Sequence, residues 1–147
     1  IEENPMARLY REAPLNSVWE GTANMMCMDV RRAMARDPRT IDALFDEVSP
    51  LAGQDARFDA LAEHTRRLVH GAVQDEFLAR PMTESIARLL QATELLRYSS
   101  QEVVDIFLGT RAPAGSGGWG SHYGTLAATV SQAAAAKVMR RAMVTGS

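Results

Sequence analysis

Glu20 stands between an indole and a glycine, just ahead of an apolar helix, in the stretch LNSVWEGTANMMCMDVRRAM that spans Leu15 to Met34. Two opposing effects act on a carboxylate placed there. The dipole of a following helix favours the charged form and lowers the pKa. Burial against Trp19 and a bound ligand disfavours charge and raises it. A general base works best when its pKa approaches the operating pH, and opposed effects of this kind can bring it there. The plainer alternative is a helix-start residue, because the dipole alone favours Glu at that place.

The other reactive side chains form weaker constellations. His64 and His70 lie six apart on one predicted helix, so they do not share a face. No acidic or cysteine partner stands at ligand spacing from them, and no metal site is expected. Cys27 is the single cysteine, which excludes an internal disulfide framework and fits a reducing, cytoplasmic compartment. With Met25, Met26 and Met28 it is expected to pack into a core. Ser17 has no histidine at a motif spacing, so nothing supports nucleophilic catalysis. Residues 115–120, GSGGWG, satisfy the G-x-G-x-x-G pattern. That pattern binds dinucleotides between a strand and a helix, and the preceding segment reads as helical, so a surface loop is expected instead, pinned by Trp119 and Tyr123. Lys137, Arg140 and Arg141 fall in the last turns of the final predicted helix, where cations complement the dipole.

The elements that must position these groups read as helices. Asn4-Pro5 opens a short helix to about Glu12, and Pro14 breaks it. Thr22 is placed to cap a helix to about Arg36 with Met26, Val30 and Ala33 on one face. Asp37-Pro38 repeats the cap-plus-proline signature ahead of the stripe Ile41, Leu44, Phe45, Val48. An amphipathic helix follows from about Asp55 to Phe77, closed by Arg80-Pro81, and the next carries Met82, Ile86, Leu89, Thr93 and Leu96. Ser99 or Ser100 caps a shorter helix through Leu108, with Glu102 at capping-box spacing from Ser99. A glycine-rich break from Gly109 to Thr125 precedes a last helix at about Leu126–Met143. The expected fold class is all-α, a helical bundle.

Composition agrees with a soluble globular chain: 147 residues, 46% hydrophobic and 23% charged, with eight methionines against 6% aromatics. A net charge of -2 gives no global case for nucleic acid or for a membrane surface. No run approaches the roughly 18 apolar residues of a spanning helix. The opening IEENPMARLY has neither a leader pattern nor an initiator methionine, and so reads as an internal start.

The stretch ARLYREAPLNSVWEGTANMMCMDVRRAM, residues 7 to 34, resembles the end of the helical C-terminal domain of acyl-CoA dehydrogenases, closest to the AidB-type branch linked to the bacterial DNA-alkylation response. The resemblance implies three segments. Residues 1–36 would end the dehydrogenase helical domain, 37–54 would form a linker helix and loop, and 55–147 an additional C-terminal helical bundle. It implies Glu20 as the base that removes the α-proton of an acyl-CoA thioester, Gly21 as the residue against the substrate, and Thr22 and Asn24 as contacts to FAD. It implies a parent that dehydrogenates acyl-CoA at the α,β bond, works as a homotetramer, and needs other parts of its chain to hold the flavin tightly. The branch also suggests an alternative, a DNA-binding, alkylation-protecting flavoprotein with little or no dehydrogenase activity. Arg32 then matches an arginine tied to double-stranded DNA. Arginine grips a DNA phosphate or the CoA pyrophosphate equally well, and a solvated arginine on an amphipathic helix is the simpler reading.

Overall fold

A computed structural model describes residues 5–19, 21–111 and 130–143. Among the described residues the fold is all-α. Its helices are α1 (Met6–Glu12), α2 (Ala23–Arg36), α3 (Arg39–Val48), α4 (Ala56–Gln74), α5 (Ala79–Tyr98), α6 (Gln101–Arg111) and α7 (Gln132–Ala142). Tight 3-10 turns at Ala13–Ser17, Ser49–Leu51 and Glu76–Leu78 link them.

The main core lies between α3, α4, α5 and α6. Phe45, Val48, Phe58, Leu61, Leu89, Val104 and Leu108 are buried there in one cluster. A second cluster, Val69, Ala72 and Met82, extends the core to Val30 and Met34 of α2. Two buried hydroxyls between α4 and α5 are satisfied in sequence. Thr65 Oγ1 donates to Leu61 O at 2.8 Å, so the single proton left for the 2.7 Å contact with Ser85 Oγ comes from the serine. Neither oxygen carries the penalty of an unpaired buried polar group.

Arginines tie the helix ends together. Asp55 caps α4 by accepting from Arg57 N at 2.8 Å. The Arg57 guanidinium spans Asp55 at 2.6 Å and Asp105 of α6 at 2.7 Å. Beside that guanidinium the Asp55 carboxyl is held below the usual carboxylate range. Arg97 of α5 pairs with the Glu47 carboxylate and donates to Glu47 O at 2.8 Å, anchoring α3. Arg66 lies 4.1 Å above the centroid of the Phe45 ring.

Several boundaries differ from the sequence reading, each for a local reason. The helix expected to reach Phe77 stops at Gln74, because Asp75 accepts from Phe77 N at 2.9 Å and starts a 3-10 turn. Pro81, expected to close a helix, lies in the first turn of α5. A proline is tolerated there because the first N–H groups of a helix have no intrahelical acceptor. Gly109 and Thr110 continue α6 to Arg111, with Thr110 Oγ1 donating back to Ile106 O at 2.7 Å. Ser100, not Ser99, starts α6: its carbonyl accepts from Val103 and Val104, and Ser99 caps the end of α5. Asn4, GSGGWG, Trp119, Tyr123 and the start of the expected last helix lie outside the described residues. Within them, α7 begins where Ser131 Oγ accepts from Ala134 N at 3.1 Å.

Lys137 of α7 reaches Glu102 of α6 at 2.5 Å. That ammonium first, then the backbone N–H of Glu102 and the Ser100 hydroxyl, hold the Glu102 carboxyl at about 2. A depressed carboxyl stabilises the fold above its unfolded value of 4.5, and the contribution disappears as pH falls through about 2. In an NMR pH titration, the Glu102 side-chain carboxyl carbon should show a midpoint near 2, moving up in Lys137→Met. A midpoint at the ordinary value in the unsubstituted protein would contradict the Lys137 pairing.

Candidate functional site

Helix α2 carries the candidate site at its N-terminus and meets the bundle along one stripe. Cys27 is buried, Val30 and Met34 are half-buried against the second core cluster, and Arg31 lies in the same row. These residues follow i, i+3, i+4, i+7 spacing. The expected face of Met26, Val30 and Ala33 is therefore rotated by about one position. Met25 and Met26, expected in a core, are each 49% exposed. Arg31 explains the shift, because it is half-buried in the row while its charge makes that row look polar in the sequence.

The Arg31 head completes the packing. Its Nε donates to Ala72 O at 2.6 Å and its Nη2 to Val73 O at 3.2 Å. Both carbonyls belong to the last turn of α4, where no intrahelical donor remains and a cation also favours the dipole. Arg32 points elsewhere. It pairs with Asp29 of its own helix at 2.5 Å, both side chains being largely exposed.

Glu20 lies outside the described residues; its neighbours on both sides are described. The N–H groups of Val18 and Trp19 both donate to Leu15 O, a turn that leaves the Trp19 ring 55% exposed. Gly21 takes φ +110°, a conformation that L side chains rarely adopt. A Cβ at Gly21 would have room, 3.6 Å from Met25 Cβ, so backbone angle rather than crowding calls for glycine. Thr22 is extended at the N-cap of α2, yet its side chain makes no capping hydrogen bond. Asn24, in the first turn of α2, is exposed, and its Oδ1 accepts from Arg80 Nη1 at 2.8 Å. Gly21, Thr22 and Asn24 thus gather at one end of α2, and Arg32 does not join them.

An open groove of about 400 Å³ lies beside Asn24, lined also by Cys27, Met28, Glu76, Phe77, Ala79 and Arg80. Arg80 and Phe77 were missed from sequence. The i,i+4 pairing of Arg80 with Glu84 is legible there. The reach of Arg80 across to Asn24, 56 residues away, is not. In the segment leading into α2 and in its first turn, large apolar side chains face outward. Neither α1 nor the 3-10 turn after it has a buried residue. Leu9, Tyr10, Leu15, Val18, Trp19, Met25 and Met26 are all exposed.

The histidines stay apart: His70 is exposed and His64 half-buried. Desolvation and then the Arg67 charge hold the His64 imidazole below its usual range. No group of three potential ligands occurs among the described residues. Among them, too, no helix is long and apolar enough to cross a membrane.

The chain is similar in sequence to the acyl-CoA dehydrogenases, on their AidB-like side. One relative is AidB of Escherichia coli (strain K12), which carries the name of an acyl-CoA dehydrogenase, with 33% identity over 99 residues. The match covers 67% of this chain and 18% of that relative's length. No family model and no solved structure matches the chain.

The unequal roles of the two adjacent arginines are measurable. Arg31→Met should cost about 1–3 kcal/mol of unfolding free energy, since it strips charged donors from two helix-end carbonyls. Arg32→Met should stay within about 0.5 kcal/mol, as a surface pair contributes little. Urea unfolding followed by circular dichroism checks both, and equal losses would contradict the packing described.

Proposed function

We propose that the chain is the C-terminal part of an FAD-dependent, AidB-like acyl-CoA dehydrogenase in which Glu20 acts as the base of α,β-dehydrogenation. The observation that carries this reading is the exposure of apolar side chains on both sides of Glu20 in the sequence. Seven large hydrophobic side chains between Leu9 and Met26 face outward. A solvated glutamate would not need such neighbours, and an accumulation of exposed apolar side chains is what an interaction site presents. The rest of the dehydrogenase body covers it, encloses Glu20 beside Trp19, and raises the carboxyl toward the range of a working base. In this reading segment 1–36 closes the dehydrogenase helical domain, 55–147 forms the added bundle, and 37–54 is a linker whose helix packs Phe45 and Val48 into that bundle.

The donors present fit a flavin nucleotide. The Thr22 hydroxyl is not spent on a capping bond, the α2 terminus is electropositive, and the exposed Asn24 amide stands beside the Arg80 guanidinium. Thr22 and Asn24 would hold FAD, which when bound accepts the hydride from the substrate β-carbon. Gly21, by carrying no side chain, lets the thioester lie close to the backbone. Glu20 takes the α-proton. The parent is a homotetramer in the cytoplasm, its subunits contributing to one another's flavin sites.

Double-stranded DNA is the less supported partner. Arg32 is paired with Asp29, Arg31 is occupied by α4, and a one-sided phosphate stripe would need such arginines uncommitted. A DNA-protecting flavoprotein without dehydrogenation remains the competing reading.

In the flavin-loaded full-length protein, Glu20→Gln should lower the rate of flavin reduction by an acyl-CoA about 10²–10⁴-fold. Bound-flavin absorbance should be unchanged. Reduction at the unsubstituted rate would eliminate Glu20 as the base.

A further inference from the structure

Arg80 is the charged group that meets the candidate nucleotide contact, and it belongs to α5 rather than to the α2 segment. Its guanidinium is held on two sides. Nε donates to Glu84 Oε1 at 3.0 Å, one turn along α5, and Nη1 donates to Asn24 Oδ1 at 2.8 Å. Glu84 is in turn approached by Arg88 Nη2 at 3.7 Å. A guanidinium has donors only, so it can engage the Asn24 amide through the oxygen alone. That choice leaves the Nδ2 donor of Asn24 as the part of the amide available to a ligand. Ligand groups that accept hydrogen bonds, such as the carbonyls and phosphate oxygens of a nucleotide, match it. Groups that only donate do not.

We infer that Arg80 is a positioning residue, which locks the Asn24 amide with its NH₂ toward the flavin nucleotide and so links the added helical bundle to the cofactor site. The inference rests on the reading of Asn24 as an FAD contact. Without Arg80 both side-chain torsions of Asn24 are released, and only about one orientation in three to ten aims the NH₂ at the nucleotide. Arg80 and Glu84 are about half exposed, so their pairing adds little to folding. The effect of losing Arg80 therefore falls on cofactor affinity and not on stability.

A double-mutant cycle on the full-length apoprotein tests this, with FAD affinity read by quenching of flavin fluorescence and folding read by the thermal midpoint. Asn24→Ala should weaken FAD about tenfold, the scale of one hydrogen bond to a charged or polar ligand. Arg80→Met should weaken it by about three- to tenfold. The double variant should bind FAD no more weakly than the weaker single, with all thermal midpoints close to that of the unsubstituted protein. Losses that multiply in the double variant would show Arg80 acting apart from Asn24, and would overturn the inference. So would Arg80→Met with unchanged FAD affinity while Asn24→Ala binds weakly. If Asn24→Ala itself leaves FAD affinity unchanged, the nucleotide reading of Asn24 falls first and the positioning role with it.

Discussion

The fold depends on how α2 is fastened to the bundle, and the Arg31 guanidinium does that fastening. Two carbonyls at the end of α4, Ala72 O and Val73 O, would otherwise face a helix with nothing to donate. Arg31 satisfies both and places a cation at the negative end of α4, from the same row of the helix as Cys27, Val30 and Met34. Once α2 is held this way its rotation is set. The other side of the helix, with Met25, Met26, Asp29 and Arg32, must face outward. At its start, Gly21 and Thr22 are exposed.

This gives the molecule two unlike parts. From α3 to α6 the helices enclose a core that is closed by its own side chains, with the hydroxyls of Thr65 and Ser85 satisfied inside it. From Met6 to Met26 the apolar side chains lack that enclosure. The contrast supports the proposed division into an added helical bundle and the closing segment of a dehydrogenase domain. Arg80 is where the two parts meet in chemical terms, because a side chain of α5 decides which face the Asn24 amide shows.

The helices were legible in the sequence because period and caps agreed. Asp55 ahead of Phe58 and Leu61, and the Ile41, Leu44, Phe45, Val48 stripe, each state a helix and its buried side together. Where two signals competed, the reading slipped. Pro81 looks the same whether it ends one helix or lies in the first turn of the next, and only the cap at Asp75 decides. The α2 face was misplaced because a long arginine in an apolar row reads as polar. At the candidate site, the glycine, threonine and asparagine were recognisable as a local motif. Arg80 was not, since nothing short of the tertiary fold brings residues 24 and 80 together.

The central claim is that the carboxylate following Trp19 belongs to a covered flavin cleft built from both this segment and the rest of the dehydrogenase. The most direct measurement is a crystal structure of the full-length protein with FAD and a non-reactive acyl-CoA. The account predicts that the Trp19 indole, exposed in this chain, is buried there, with a Glu20 carboxylate oxygen within about 3.5 Å of the thioester α-carbon. A Glu20 side chain directed into bulk water, with Trp19 still exposed, would contradict it.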